Sequence, residues 1–164
     1  MIKQLLLGLF VWQAGVQAKM GYDSASTYKR AVRVAAESGK PILVVGGPYG
    51  AGISGKVFGF KAHGCGDVCL DIDPVSCHGC PYIYGDIREI PFPDSYFGSA
   101  FASHVLEHLA TVDDAYKACE ELYRVANNVF ICAPGKDSIY ARLISDHHLW
   151  IRQVGDTVQI EPMR

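Results

Sequence analysis

The chain has 164 residues, of which 49% are hydrophobic and 20% charged, and its formal net charge is −2. This composition indicates a globular protein with a core of its own and excludes a disordered chain. The near balance of charges gives no basic surface of the kind that binds nucleic acid, so no nucleic-acid partner is indicated.

Residues 1–22 form an apolar N-terminal segment, which we separate from a single domain over residues 23–164. Lys3, the apolar run Leu5–Trp12 and the ending Val16-Gln17-Ala18 resemble a secretory signal. The apolar run is too short to span a bilayer, which takes about 20 residues. Two other interpretations are a helix on a membrane surface, with contact through Met1–Met20, and a helix packed on the domain.

Strands and helices alternate along the rest of the chain. The spacing of apolar residues predicts a helix over 23–38, capped by Ser24 or Ser26 and ended by Gly39. Short apolar runs bounded by turn residues predict buried parallel strands. These strands are residues 42–45, 68–72, 82–84, 99–102 and 129–133. Further helices are predicted over 53–62, 106–109, 113–125 and 138–144.

Two alternating runs close the chain, His148–Val154 and Thr157–Pro162, joined by Gly155-Asp156. A two-residue connection that begins with glycine predicts a type II′ hairpin. Together the elements predict a doubly wound, Rossmann-like α/β sheet. It is mostly parallel, with a C-terminal antiparallel hairpin as an edge element.

Four of the six cysteines lie close together in the sequence: Cys65, Cys69, Cys77 and Cys80. Zinc binding is one interpretation, and a metal or redox pair in the Cys77–Cys80 loop is another. Cys69, however, lies in a predicted buried strand and cannot easily turn towards the others. Because a chain of this size does not need disulfides for stability, we expect ordinary thiols, no metal ligands and a reducing compartment.

A glycine-rich turn follows the first predicted strand. Gly50–Lys56 matches the first seven positions of a P-loop, but Val57 replaces the Ser or Thr that would hold Mg²⁺. Backbone N–H groups of such a turn can instead hold a nucleoside cofactor. Asp71 or Asp73, roughly 20 residues further on, is then placed to bind the ribose hydroxyls.

The stretch from Tyr84 to Leu109 reads YGDIREIPFPDSYFGSAFASHVLEHL. With the turn and Asp71, it makes residues 42–133 resemble the class I S-adenosylmethionine-dependent methyltransferases of type 11. The pattern LPFPDxxFDxVxxxxVLEH of that family matches Ile90–His108, and its LYRV matches Leu122–Val125. The resemblance implies S-adenosyl-L-methionine as the cofactor.

The resemblance also implies roles for individual residues. In the family the glycine turn wraps the methionine end of the cofactor, the acid after the second strand binds the ribose, and a GD pair binds the adenine. The corresponding residues here are Gly46, Gly47, Pro48 and Gly50 for the turn, Asp71 and Ile72 for the ribose, and Asp86 and Ile87 for the adenine, with Ser103 added at the end of the fourth strand.

His104 follows the fourth predicted strand and is the best candidate for a catalytic residue that faces the substrate. The alternative is a residue that starts the next helix and is bonded to the backbone. Glu107 and His108 are expected to serve the following helix and its packing. His147 and His148 lie near the predicted hairpin and are candidates for the edge of the substrate opening, the alternative being histidines bonded to the backbone. The methyl acceptor, a small molecule or a lipid-like one, should be recognised by the N-terminal segment, the loop after Pro134 and the hairpin.

Three positions depart from the family pattern: Val44 replaces an acid, Pro48 the middle glycine and Gly98 the Asp of FD. They favour a second hypothesis, a non-catalytic module that keeps the cofactor fold and binds a partner. A nucleotide-phosphate binder is the third. For the methyltransferase we expect a cytoplasmic location, with membrane association through the apolar segment.

Overall fold

The computed structural model of the chain describes residues 2–49 and 61–163. Gly50, the P-loop match at 50–56, Val57 and nearly all of the helix predicted over 53–62 lie outside the described residues. The third hypothesis therefore concerns a part of the chain whose structure is not described.

Within the described residues, five parallel strands form one sheet in the order β3-β2-β1-β4-β5. The strands are β1 Ile42–Val45, β2 Val68–Asp71, β3 Tyr82–Tyr84, β4 Ser99–Ser103 and β5 Val129–Cys132. The observed ends agree with the predicted ends to within one residue. Because β1 lies between β2 and β4, the winding of the chain changes direction there, and the carboxyl ends of the strands share one edge.

Helices cover both faces of the sheet: α1 Ile2–Ser38 lies on one face and α2 Val112–Val125 on the other. The described residues also form a 3₁₀ turn, Leu106–His108, and a short helix, α3 Ile139–Leu143. Side chains alternate along β1: Leu43 and Val45 join the core that α2 covers, whereas Ile42 and Val44 join the core that α1 covers. The prediction of a doubly wound α/β sheet is confirmed.

Helix α1 is much longer than predicted. The expected caps Ser24 and Ser26 lie inside it, and the buried Ser24 hydroxyl is 3.1 Å from the hydroxyl of Ser103. The prediction of a start at residue 23 is wrong because the preceding residues are largely good helix formers, and the glycines among them cost only about 1 kcal/mol each. The end at Ser38, followed by Gly39 with φ +67°, is as expected.

Large apolar side chains are exposed along the first turns of α1, from Ile2 to Trp12. No helix in the described part of the chain is long and apolar enough to cross a membrane. The three interpretations of residues 1–22, and the boundary drawn after them, remain predictions.

The C-terminal hairpin consists of β6 Leu149–Val154 and β7 Thr157–Pro162, which pair in antiparallel register. Gly155 has φ +60° and Asp156 does not have a positive φ, as a type II′ turn requires. The hairpin was predicted to form an edge of the main sheet, but it is a separate two-stranded sheet. Gln153 connects the two, since its side chain accepts from Ile131 N–H and donates to the Val129 carbonyl, both at 2.8 Å.

The clustered cysteines form two disulfides, Cys65–Cys80 and Cys69–Cys77. The expectation of ordinary thiols is therefore wrong for these four residues, and Cys77 and Cys80 do not pair with each other. Cys69 stays buried in β2, as expected, and its partner Cys77 is buried beneath the same face of the sheet. The adequacy of the core said nothing about whether the chain brings these sulfur atoms together.

Two residues of α2 fix the loop before β4. Arg124 donates to the backbone carbonyls of Ile90 and Phe92 and to the carboxylate of Asp94, and it is paired with Glu121. Glu121 in turn accepts the backbone N–H of Ile90 at 2.8 Å. The hydrogen bonds from Arg124 are the main reason that the pKa of Glu121 lies below its usual value.

This arrangement predicts a loss of stability in acid. Because the pKa of Glu121 is lower in the folded chain, its contribution is complete above the unfolded value of about 4.3 and is lost as the pH falls through the folded value. We expect Glu121→Gln to lower the free energy of unfolding by about 1–3 kcal/mol at pH 7 and by less at pH 3. Urea unfolding at both pH values measures this, with the exposed neighbour Glu120→Gln as the control. An equal loss at both pH values would contradict it.

Candidate functional site at the carboxyl edge of the sheet

The turn after β1 is packed against two neighbouring strands. Gly46 donates its N–H to the Leu70 carbonyl at 3.2 Å and has φ +79°. A Cβ at this position would lie 2.3 Å from a methyl of Val105 and 2.8 Å from the Ser103 carbonyl oxygen. Both the backbone angle and the close approach therefore require glycine here.

Asp71, at the end of β2, holds this turn. One carboxylate oxygen accepts the Gly47 N–H at 3.1 Å, and the other accepts the Asp73 N–H at 2.9 Å. Val44, which replaces the acid of the family pattern, is fully buried in the apolar core beneath α1. Asp71 thus holds the glycine turn from the end of β2, and each of its oxygens keeps a free lone pair.

Two exposed apolar side chains flank Asp71. Ile72, which follows it, is 66% exposed, and Tyr84, its register partner on β3, is 72% exposed. Apolar surface beside a few placed polar groups is typical of a small-molecule site, and an aromatic or aliphatic face suits a nucleoside base. The residues at this end of the edge therefore fit the nucleoside half of the expected cofactor. Tyr84 was missed in the sequence because exposure within a strand cannot be read from its pattern.

The glycine turn, which is expected to hold the methionine end of the cofactor, is covered by another segment of the chain. We call residues 73–80 the cystine loop, because Cys77 ties it to β2 and Cys80 ties it to Cys65. A Cβ on Gly47 would lie 1.8 Å from the Ser76 carbonyl oxygen and 2.6 Å from the Cys77 nitrogen. Pro48 is fully buried. The close approach that the glycine permits is taken by the backbone of the cystine loop.

This contact predicts the effect of a methyl group at position 47. Gly47→Ala should lower the free energy of unfolding by about 1–3 kcal/mol, because neither backbone can yield without strain. Gly21→Ala is the matched control: it lies within α1 with nothing near its Cβ position, and it should stabilise the chain by up to about 1 kcal/mol. Urea unfolding of both variants measures the difference. Equal stability of the two variants would show that the cystine loop does not rest on Gly47.

Asp86, predicted to bind the adenine, is held by Arg88. The guanidinium contacts both carboxylate oxygens of Asp86 at 2.6–3.1 Å and reaches Asp114 at 2.8 Å. The hydrogen bonds from Arg88 hold the pKa of Asp86 below its usual value. Ile87 is buried in the core. The structure thus places Asp86 at the carboxyl edge and Ile87 beneath it, and their roles towards the cofactor remain predictions.

His104 follows β4 in a left-handed conformation, with φ +55°. Its Nδ1 atom is 3.1 Å from a carboxylate oxygen of Glu107. Burial lowers the pKa of His104, but the hydrogen bond to Glu107 and its negative charge outweigh burial and raise the pKa. The neighbouring Ser103 is buried against Ser24, so its hydroxyl is engaged with α1. Glu107 was expected to serve packing, and no sequence signal pointed to its bond with His104.

A cavity of about 670 Å³ lies beside His104. Its walls come from α1, from the loop after Pro134 and from the hairpin, the three regions expected to recognise the acceptor. Much of the lining is charged: Lys19, Asp23, Lys136, Asp137, Arg152 and Glu161. Lys19 pairs with Asp23 and Lys136 with Glu161. The structure brings the three regions together, and their role towards an acceptor remains a prediction.

Comparison with known proteins agrees with the resemblance seen in the sequence. Residues 49–129, close to half of the chain, match the family described as "Methyltransferase domain". No curated protein matches the chain. S-adenosylmethionine is the methyl donor of this family, so the expected cofactor is confirmed at the level of the family.

Solved methyltransferases are similar to the chain at low identity. One is the N-methyltransferase NodS from Bradyrhizobium japonicum WM9 in complex with S-adenosylhomocysteine. It is 17% identical, with 60% of this chain and 55% of that chain covered and a TM-score of 0.37. Another is an amino pentose methyltransferase from Micromonospora echinaspora bound to S-adenosylmethionine. It is 18% identical, with 62% and 45% covered and a TM-score of 0.38.

This chain thus spans only about half the length of these two solved proteins. The sequence match includes Gly50, Asp71 and the block that ends at His108. Residues 49–129 therefore belong to the methyltransferase domain family, and the resemblance to class I S-adenosylmethionine-dependent methyltransferases is confirmed.

Proposed function

We propose that the chain binds S-adenosylmethionine and transfers its methyl group to a polar small molecule. The observation that carries this proposal is the pairing of two features at one sheet edge. Asp71, with the exposed Ile72, offers a nucleoside site, and the cavity beside His104 offers room for an acceptor. The charged lining of that cavity favours a polar acceptor over the lipid-like alternative.

When bound, S-adenosylmethionine supplies a methyl group that its sulfonium already activates, so the protein mainly orients the reactants. Asp71 would accept hydrogen bonds from the ribose, and Ile72 and Tyr84 would lie against the base. His104 donates its Nδ1 proton to Glu107, which leaves Nε2 as the basic atom. That atom would take a proton from an acceptor that must lose one.

Two measurements test the proposal. Calorimetry with S-adenosylhomocysteine should give one site per chain, and no heat at millimolar ligand would refute cofactor binding. Incubation with methyl-labelled S-adenosylmethionine and fractions of polar metabolites should label a small molecule. His104→Gln should bind the cofactor as the wild type does and transfer label at least about 100-fold more slowly. Equal transfer by this variant would remove His104 from the mechanism.

The second candidate is a non-catalytic module that keeps the cofactor fold. The backbone of Ser76 and Cys77 over Gly47, together with Val44, Pro48 and Gly98, supports it. Binding of S-adenosylhomocysteine without any transfer of label would favour this candidate. For the nucleotide-phosphate alternative, ATP rather than S-adenosylhomocysteine should raise the melting temperature.

We also propose that the exposed apolar side chains between Ile2 and Trp12 touch a membrane surface. Deleting residues 1–20 should then reduce sedimentation with anionic phospholipid vesicles, and unchanged sedimentation would refute the contact.

The proposal of a cytoplasmic location rests on where the cofactor is found. The two disulfides, which are typical of oxidising compartments, count against it. Cell fractionation decides between the two.

A further inference from the structure

Three side chains with metal-binding atoms meet behind His104, outside the proposed cofactor and acceptor sites. Glu107 and His108 come from the 3₁₀ turn after β4, and His147 comes from the loop before the hairpin. One ligand atom from each lies within 4.8 Å of the others. The rings of His108 and His147 meet edge to face, with centroids 4.6 Å apart.

Two of these side chains are buried, and each has one polar atom without a hydrogen-bond partner among the described residues. Glu107 has no exposed surface and His147 is 7% exposed, yet neither Glu107 Oε2 nor His147 Nδ1 has a hydrogen-bond partner among the described residues. Leaving a buried polar group unpaired destabilises a fold, and a charged group does so more strongly. No protein group among the described residues pairs with either of these two atoms. The atoms are available to a ligand that accepts electron pairs from both.

The remaining atoms of the cluster are already held in place. His108 Nδ1 is 3.2 Å from the backbone carbonyl oxygen of Asp146 and 3.2 Å from a carboxylate oxygen of the same residue, which leaves its Nε2 as the free ligand atom. Glu107 Oε1 is occupied by His104, which leaves Oε2. A histidine ligand whose other nitrogen bonds a backbone carbonyl or a carboxylate is usual around protein metal sites.

We propose that Glu107, His108 and His147 bind a divalent transition-metal ion of the zinc class. Two imidazoles and one carboxylate suit zinc and its neighbours, whereas Mg²⁺ and Ca²⁺ prefer oxygen ligands throughout. Bonds of about 2.1 Å place tetrahedral ligand atoms about 3.4 Å apart, so the side chains must close by roughly 1.4 Å at most. A cavity of about 250 Å³, lined in part by His147, Thr111 and Ser145, adjoins the cluster and gives an ion a route inward.

The ion would join the turn that holds His104 to the segment that leads into the hairpin. The 3₁₀ turn carries Glu107, which holds His104, and the loop with His147 leads directly into β6. One backbone hydrogen bond already links them, from His148 N–H to the Glu107 carbonyl at 2.7 Å. A metal at this position would fix the hairpin against the 3₁₀ turn that follows β4. It would do so whether or not the chain transfers methyl groups.

The test uses the full chain with its disulfides intact. Equilibrium dialysis against zinc should give one ion per chain, and cobalt should give the visible absorption of a tetrahedral site without the near-ultraviolet band of thiolate ligands. His147→Ala should weaken binding by at least about 100-fold, because it removes one of the three ligands. His148→Ala, the exposed neighbour, is the matched control and should bind as the wild type does.

Three results would overturn the proposal. They are wild-type chain that takes up no zinc at micromolar concentration, a thiolate band in the cobalt spectrum, and equal loss of binding in the His147 and His148 variants. Should His147→Ala fail to fold, as circular dichroism would show, Glu107→Gln replaces it. The amide keeps the size of the side chain and is a much weaker ligand, so uptake equal to the wild type would refute the site.

Discussion

Asp71→Ala is expected to weaken the binding of S-adenosylhomocysteine by at least about 100-fold. The substitution removes the acceptor for two ribose hydroxyls and also the bond of 3.1 Å from Gly47 N–H that holds the glycine turn. Hydrogen bonds to a charged group contribute about 1.5–3 kcal/mol each, so two of them together exceed a factor of 100. Calorimetry on the wild type and the variant measures the loss.

Asp73, a neighbouring acid, serves as the control that distinguishes the ribose role of Asp71 from a general effect of negative charge. Asp73 accepts the N–H of Val75 two residues on, within its own loop. We expect Asp73→Ala to bind S-adenosylhomocysteine within about threefold of the wild type. Circular dichroism on both variants excludes unfolding as the cause of a loss. If Asp73→Ala loses binding and Asp71→Ala keeps it, the ribose acid is misassigned; if both keep it, the nucleoside site lies elsewhere.

Much of the fold could be predicted from local pattern. The strands are short apolar runs between turn residues, and their alternation with helices indicates a mostly parallel sheet, as observed. Asp71 could be placed at the sheet edge because it ends a buried strand. The hairpin ends agreed because Gly155-Asp156 dictates its turn.

What the sequence did not show depends on contacts between distant residues. The start of α1 was misplaced because a serine caps a helix only if the preceding chain leaves the helix, and here it does not. The hairpin was expected at the sheet edge, but Gln153 reaches the edge with its side chain instead. The bond between His104 and Glu107 requires the left-handed angle at His104, which no sequence pattern indicates for histidine.

The disulfides show the same limit most clearly, and they give the second large expected effect. Cys119 is buried, and burial raises the pKa of its thiol to about 11, so the thiols must be titrated in the unfolded chain. Titration of the unfolded, unreduced chain should find two free thiols, Cys119 and Cys132, and titration after reduction should find all six. Loops closed over separations of 15 and 8 residues stabilise by about 2.5–3 kcal/mol each. Because one loop lies inside the other, we expect full reduction to cost about 3–5 kcal/mol and to lower the melting temperature by roughly 10–15 °C. An unchanged melting temperature would contradict this.

Breaking the inner disulfide alone should have a further effect, on cofactor binding. The bond Cys69–Cys77 holds the backbone of Ser76 and Cys77 against Gly47, where the methionine end of the cofactor is expected. If binding requires that segment to move away, affinity is reduced by the fraction of molecules in which it has moved. Serine at both Cys69 and Cys77 should therefore destabilise the chain by about 2.5 kcal/mol and yet tighten S-adenosylhomocysteine binding.

Serine at Cys65 and Cys80 is the matched control, because it leaves the inner bond intact and should cost stability without changing affinity. Weaker binding in the inner pair than in the outer pair would mean that the cystine loop forms part of the cofactor site, and equal affinity in both would mean that it does not cover it.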